Sequence, residues 1–445
     1  MSDSGLKKRV FGWMMFDWAS QPYNTLLLTF IFGPYFASAV MDDPVKAQSM
    51  WGFAIGASGF VIAVLAPILG AFADTSGRKM PWIWLFSGLY VLGSAALWLA
   101  VPGMNDVTLI LLIFCFGLIG MEFATIFTNA MLPTLGDRAE IGKISGSGWA
   151  MGYAGGVVAL ILMLLFLAEN EAGVTLLGTA PAFGLDAATR EGTRFVGPFT
   201  ALWYVLFMIP FFVFVREVRP VTAAAVVPVG AALSGLWATL RGLPAHRSFA
   251  SYLLSSMFYR DALAGMYTFG GIFAGGVLGW SVIDIGVFGI LAATTGAIFA
   301  WIGGRADSAF GPKPVILVCI VTLLIVSICI VGTSREAIFG VSLAEGSTLP
   351  DKFFYVLGAT IGAAGGCLQA ASRTMLVRQA DEARMTEAFG LYALAGKATA
   401  FLAPTMIGIV TLFSESQRIG VAPVIGLFVL GLVIMTWVKP DGEVT

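Results

Sequence analysis

Apolar residues dominate this chain in long blocks rather than in alternating or short-period patterns. Twelve blocks are long enough to be membrane-spanning helices. They run over about 13–40, 50–73, 81–101, 107–133, 144–168, 195–215, 249–275, 280–303, 314–332, 353–376, 386–413 and 421–438. A helix needs about 20 mostly apolar residues to cross a bilayer's hydrocarbon. The first, seventh and eleventh blocks also carry polar residues, which marks them for function. The pattern predicts an all-α integral membrane protein.

The polar breaks between the blocks fix an expected direction. With the N-terminus in the cytoplasm, the inside segments hold 17 Lys and Arg residues against 6 outside. Cytoplasmic loops carry that excess in membrane proteins, so the asymmetry predicts both termini inside. Lys7, Lys8 and Arg9 precede the first apolar block as they would in a signal peptide. The block is too long for a signal core and has no A-x-A site, so it reads as a retained first helix. The longest break, 216–248, divides the chain into an N-terminal half, 1–215, and a C-terminal half, 249–445. Within the break, Leu233, Leu236, Trp237 and Leu240 fall at i, i+3, i+4 and i+7, followed by Arg241 and Arg247. That spacing predicts an amphipathic linker helix, either lying on the cytoplasmic interface or solvated as a short linker.

Composition agrees with lipid as the solvent. The chain is 58% hydrophobic and 11% charged over 445 residues, with a mean hydropathy of +0.88. Soluble domains carry about 25% charged residues. A net charge of −1 offers no basic field for nucleic acid. Cys115, Cys319, Cys329 and Cys367 lie within apolar blocks, with no C-x-x-C pair, and read as small core residues. His246 is the one histidine. Zinc sites and His-based triads are therefore not expected, and no cofactor motif occurs. No H-E-x-x-H, G-x-S-x-G or P-loop is present.

An internal repeat runs through the chain. The second block ends in Gly70, Asp74, Gly77, Arg78 and Lys79. The eighth ends in Gly303, Asp307, Gly311 and Lys313, with one extra residue between acid and glycine. A common offset of 244 relates Asp17 to Asp261, Tyr23 to Tyr267, Met131 to Met375 and Gly146 to Gly390. A shared offset across several helix pairs predicts two duplicated six-helix halves, an architecture used by transporters.

The first loop resembles the signature G-x-x-x-D-[RK]-x-G-[RK]-[RK] between helices two and three of the major facilitator superfamily. It departs at Thr75, where a base is usual. The glycines suit a tight turn, and Asp74 can meet a helix N-terminus or Arg78. The loop residues Gly70, Asp74, Gly77, Arg78, Lys79, Asp307, Gly311 and Lys313 are accordingly expected to gate. A narrower resemblance rests on Phe16-Asp17-Trp18-Ala19-Ser20-Gln21-Pro22-Tyr23-Asn24, Asn129-Ala130-Met131-Leu132-Pro133, the glycine-rich run from Ser145 to Gly156, and Phe258-Tyr259-Arg260-Asp261. These islands are similar to those of the vacuole effluxer-like family. That family includes fungal vacuolar amino-acid exporters linked to autophagy, and bacterial relatives. Here Ala262 stands where a glycine is expected, and Arg260 where an asparagine is common. The resemblance implies efflux or exchange of amino acids or similar solutes, and a multi-pass protein of the bacterial inner membrane.

In the facilitator fold, helices one, four, seven and ten line the cavity, and the buried polar residues here fall on those blocks. They are Asp17, Gln21 and Asn24; Glu122 and Asn129; Arg260, Asp261 and Tyr267; Gln369 and Arg373. Lys397 joins from block eleven. An ion within a span costs about 2.5–3.5 kcal/mol on insertion scales, so it signals function by default. Three acids stand against three bases, which suits a buried set and a zwitterionic substrate. Arg260 and Asp261 are adjacent, so one is expected to face the cavity and the other a structural partner. Glu122, deep in its block, is the expected proton carrier. Gly148, Gly152 and Gly156 are spaced for close helix packing. The expected partners are a small solute, lipid and protons, with the protein a monomer. A membrane-embedded enzyme and a non-transporting sensor remain the rival classes.

Overall fold

The structure, a computed structural model, describes residues 3–41, 44–170, 172–216, 234, 237–238, 241–243, 245–280 and 282–443. Its main helices are α1 (Asp3–Pro22), α2 (Pro44–Ser76), α3 (Met80–Ala96), α4 (Thr108–Asn129), α5 (Arg138–Phe166) and α6 (Val196–Phe214). They continue with α7 (Arg247–Leu278), α8 (Val282–Phe310), α9 (Pro312–Val331), α10 (Leu349–Gln379), α11 (Met385–Ala398), α12 (Leu402–Ser414) and α13 (Pro423–Met435). A two-residue hairpin, Ala337–Ile338 against Val341–Ser342, is the one sheet among the described residues. Of the expected linker helix, Leu233, Leu236 and Leu240 lie outside the described residues. Trp237 is exposed, with the Arg241 guanidinium 5.1 Å from its ring.

Eleven helical segments among the described residues are long and apolar enough to cross a membrane. The first expected span is helical but not one unbroken helix. It runs from α1 into a wider π-type helix, Tyr23–Phe30, and breaks at Ile31, where φ is −122° and ψ −66°. Pro34 explains the break, because its ring clashes with the carbonyl four residues back. The eleventh expected span breaks likewise. Helix α11 ends at Ala398 and α12 starts at Leu402, with Pro404 in the new first turn. Prolines in membrane helices persist where neighbours satisfy the freed backbone groups.

The chain forms two compact units. One comprises Met1–Met131 and Met151–Val227, the other Leu132–Ala150 and Pro228–Thr445. Helix α5 thus contributes to both. In the first unit α1 packs on α6, α2 on α4, and α3 on both α4 and α6. In the second α7 packs on α13, α8 on α10, and α9 on both α10 and α13. Small residues bring these helices together. A Cβ on Gly93 would lie 2.5 Å from the Gly117 Cα, and one on Gly120 would lie 2.6 Å from the Tyr90 backbone nitrogen. On α10, Gly358, Gly362 and Gly366 recur every turn and meet Phe288, Ala292 and Gly296 of α8. Lipid gives no hydrophobic drive for helix association, so dispersion across such close seams and a few hydrogen bonds must hold each unit together.

Candidate functional site

In the first unit, the polar face of α1 is held from two sides. The Trp13 Nε1 donates to the Thr128 carbonyl at 2.8 Å, and the Tyr23 hydroxyl to the Phe114 carbonyl at 2.9 Å. Both acceptors lie on α4. The two bonds pin α1 and α4 antiparallel, which sets Asp17 level with Glu122. Asp17, Gln21, Asn24, Glu122 and Asn129 are all half-buried. The other side of α1 rests on α5. A Cβ on Gly152 would lie 3.4 Å from the Asp17 carbonyl oxygen, one on Gly155 2.6 Å from that of Trp18, and one on Gly156 3.0 Å from the Gln21 side chain. The glycine-rich run in α5 therefore seats the helix that carries the polar face.

In the second unit, α7 and α10 are joined in the same manner. The Tyr252 hydroxyl donates to the Ser372 carbonyl at 2.5 Å, and the Tyr259 and Ser372 hydroxyls lie 2.8 Å apart. Tyr267 is 44% exposed, with its hydroxyl against Gly365. Arg260 and Asp261 both turn towards the broken eleventh span. The Arg260 Nη1 donates to the Tyr392 carbonyl at 2.9 Å, its guanidinium sits 3.9 Å from the Tyr392 ring centre, and it abuts Gly396. The buried Asp261 Oδ2 accepts from the Ala403 N–H at 2.9 Å, in the first turn of α12. Asp261 thus satisfies a backbone group that the proline break set free. Lys397, half-buried, ends α11 beside Gly396. Gln369 is half-buried, and the buried Arg373 lies over the Trp149 ring at 5.3 Å.

The six ions named from sequence thus divide unevenly. Asp17 and Glu122 belong to the first unit. Asp261, Arg260, Arg373 and Lys397 belong to the second. Arg260 and Arg373 each face an aromatic ring, a geometry worth about 0.5–2 kcal/mol as burial increases. Tyr392 and Trp149 escaped the sequence reading, which sought charged partners. Trp149 does stand within the glycine-rich run.

The two motifs expected to gate differ from the expected loop. Asp74 and Asp307 are not in loops but in the last turns of the long helices α2 and α8. The helices end at Gly77 and Gly311, whose φ values of 63° and 83° a side chain disfavours. Asp74 pairs with Lys79 at 3.8 Å rather than with the exposed Arg78, and the Lys79 Nζ also donates to the Ala130 carbonyl at 3.3 Å. The Thr75 hydroxyl bonds back to the Ala71 carbonyl. The second copy uses its groups otherwise. Lys313 donates to the Val438 carbonyl at 2.6 Å, near the C-terminus. Asp307 is buried beside Thr374 and Arg378, and packs against Gly142 in the first turns of α5. The Lys143 N–H donates to the Ser308 hydroxyl at 3.0 Å, and the Ser145 hydroxyl to the Ala370 carbonyl at 2.8 Å. A Cβ on Gly146 would lie 2.6 Å from the Gly304 Cα. Beside this seam is a cavity of about 270 Å³, lined in part by Arg138, Thr374, Arg378 and Asp381.

No motif announces how the segment around Lys439 is held. The Lys439 N–H donates to the Ser248 hydroxyl at 2.8 Å, the Gln379 side-chain amide donates to the Lys439 carbonyl at 2.6 Å, and Arg378 pairs with Asp441 at 3.3 Å.

This arrangement of helices is that of the major facilitator superfamily, a class of multi-pass membrane transporters. The human organic anion transporter MFSD10 (TETRAN) superposes with a TM-score of 0.70, at 14% identity over 97% of this chain and 99% of that one. The proton:xylose symporter XylE superposes with a TM-score of 0.70, at 11% identity over 99% of both chains. In sequence, the "Uncharacterized MFS-type transporter YxiO" of Bacillus subtilis (strain 168) is 25% identical over 437 residues, covering 98% of this chain and 95% of that protein. The family described as "Vacuole effluxer Atg22 like" matches residues 39–442, and the chain belongs to that family. It is a membrane transporter of small molecules and not an enzyme.

Proposed function

We propose that this transporter exports amino acids or similar small zwitterions by alternating access, coupled to protons, from the bacterial cytoplasm across the inner membrane. The observation that carries the substrate class is the division of charge. Asp17 and Glu122 lie level on α1 and α4 of one unit, a set suited to an ammonium group. Arg260, Arg373 and Lys397 belong to the other, a set suited to a carboxylate. The membership of the effluxer family supports the direction. The protein works as a monomer of two six-helix halves, 1–215 and 249–445, joined through 216–248, with both termini cytoplasmic. The recurrence of the same packing pairs six spans later supports the duplication. So does the use of Thr128 and Ser372, 244 residues apart, as acceptors for aromatic donors on α1 and α7.

Gating falls to the two ends of α2 and α8, where Asp74 and Asp307 meet Lys79 and the first turns of α5. Glu122 carries the proton, as an ionisable group set well inside a span, where such residues mark transport pathways. A second reading keeps the fold and changes the cargo. Of the six ions named from the sequence, three cations and one acid belong to the second unit, and that acid, Asp261, already caps α12. That surplus favours an organic anion without an ammonium group.

Flux from proteoliposomes loaded with radiolabelled amino acids, with and without an imposed pH gradient, tests both. Export of zwitterions driven by the gradient is expected. Flux of dicarboxylates alone would move the assignment to the second reading, and no flux of either removes the substrate class. Glu122→Gln is expected to abolish the response to the gradient; a retained response removes the proton role.

A further inference from the structure

Between α5 and α6 the long helices give way to a segment whose described residues, 167–170 and 172–195, are tied together by hydrogen bonds. The Asn170 side chain accepts from the N–H groups of Ala172 and Val174 at 2.9 and 3.3 Å. The far end is clamped by the buried Glu169, which accepts from the Thr193 N–H at 3.0 Å and its hydroxyl at 2.8 Å. Within this clamp, residues 172–185 include no charged side chain. They present Leu176, Leu177 and Phe183, exposed by 72%, 54% and 86%. Phe183 does so with a φ of 64°, a left-handed conformation that non-glycine residues avoid. An ordered loop that holds three apolar side chains outward needs an apolar surrounding.

The position of the loop identifies that surrounding. The Leu176 N–H donates to the Leu164 carbonyl at 3.0 Å. Leu176 is therefore alongside the last turn of α5 and not beyond its end at Phe166. The same helix turns Val158, Ile161 and Phe166 outward. On a membrane span, such a stripe contacts hydrocarbon, and Leu176 continues it. The loop backbone also meets the demand that lipid makes. The Asn170 N–H donates to Val174, Thr175 to Thr179 and Gly178 to Thr175, all at 2.8–2.9 Å. Unpaired backbone groups at that depth are strongly disfavoured.

We propose that residues 174–185 are an interfacial anchor, in which Leu176, Leu177 and Phe183 insert among the headgroups and upper acyl chains of the leaflet next to the C-terminal end of α5. The occupant of the patch is phospholipid. Charged residues that follow the segment, the exposed Asp186 and the half-buried Arg190, keep it from sinking further.

Photo-crosslinking tests this in the full-length protein. p-Benzoylphenylalanine replaces Leu177, Phe183 or, as control, the exposed Thr189, in nanodiscs of phosphatidylethanolamine and phosphatidylglycerol. After irradiation, mass spectrometry is expected to find phospholipid adducts at 177 and 183 and several-fold fewer at 189. Lipid adducts at 177 and 183 no more frequent than at 189 would overturn the proposal. So would adducts there to a second copy of the chain in place of lipid. The probe is itself large and apolar, and two independent positions carry the test, so one poorly folded variant leaves it decided by the other.

Discussion

At the scale of single residues, a buried charge can serve the fold itself, and Asp261 does so. Its carboxylate caps α12 where Pro404 broke the eleventh span. Removing a helix cap costs about 0.5–2 kcal/mol. Asp261→Ala is therefore expected to lower the thermal midpoint in detergent, whereas Asp261→Asn, which keeps an oxygen acceptor for the Ala403 N–H, restores most of it. Equal midpoints for both variants would show that the cap contributes nothing. The sequence singled out Asp261 and its neighbour Arg260 but assigned only one of them to a structural partner. Both have one. Cα spacing on a helix sets how far apart two adjacent residues point, but not that a long arginine can reach back to Tyr392 while the short aspartate meets Ala403 on the same broken span. Partners of that kind depend on tertiary placement, which hydrophobic pattern does not encode.

At the scale of elements, pattern served well. Long apolar blocks announce helices because lipid leaves the backbone no other means of satisfying its polar groups. The limits lay at the ends and at the prolines. Charge and glycine around Asp74 and Asp307 resemble a turn, yet α2 and α8 continue helical to Ser76 and Phe310. The expectation for the glycine run in α5 was close packing against an unnamed neighbour, and that neighbour is α1. The dependence can be measured one methyl group at a time. A Cβ at Gly155 would meet the Trp18 carbonyl oxygen at 2.6 Å, whereas one at Gly88 on α3 would meet nothing within 4 Å. Gly155→Ala is expected to cost about 1–3 kcal/mol, the usual range for overpacking. Gly88→Ala is expected to be neutral or to gain up to about 1 kcal/mol from helix propensity. Thermal midpoints of the two variants in one detergent check the contrast; an equal loss at both positions would mean that the α1–α5 seam yields.

At the scale of the whole molecule, the division of α5 matters most. Residues 132–150 pack as part of the C-terminal unit, although the chain reaches them long before the break at 216–248. That unit is therefore incomplete unless the first half of the chain supplies its segment. Lys143 and Ser145 contribute hydrogen bonds to Ser308 and to the Ala370 carbonyl, and Gly146 permits contact with the Gly304 backbone. Two separately encoded pieces, 1–227 and 228–445, are expected to associate when produced together, and a tag on one should recover the other from detergent extracts. Gly146→Leu in the first piece forces a side chain into the space now held by the Gly304 Cα and the Ala300 carbonyl. At about 1–3 kcal/mol for such overpacking, and about 1.4 kcal/mol per tenfold change in equilibrium, recovery should fall between roughly fivefold and a hundredfold. Gly88→Leu in the same piece, where no neighbour is close, should leave it unchanged. If Gly146→Leu leaves recovery intact, the 132–150 segment does not hold the pieces together, and the gating proposed for it loses its physical basis, because a seam that tolerates a leucine cannot be the close contact on which Asp307 and the first turns of α5 depend.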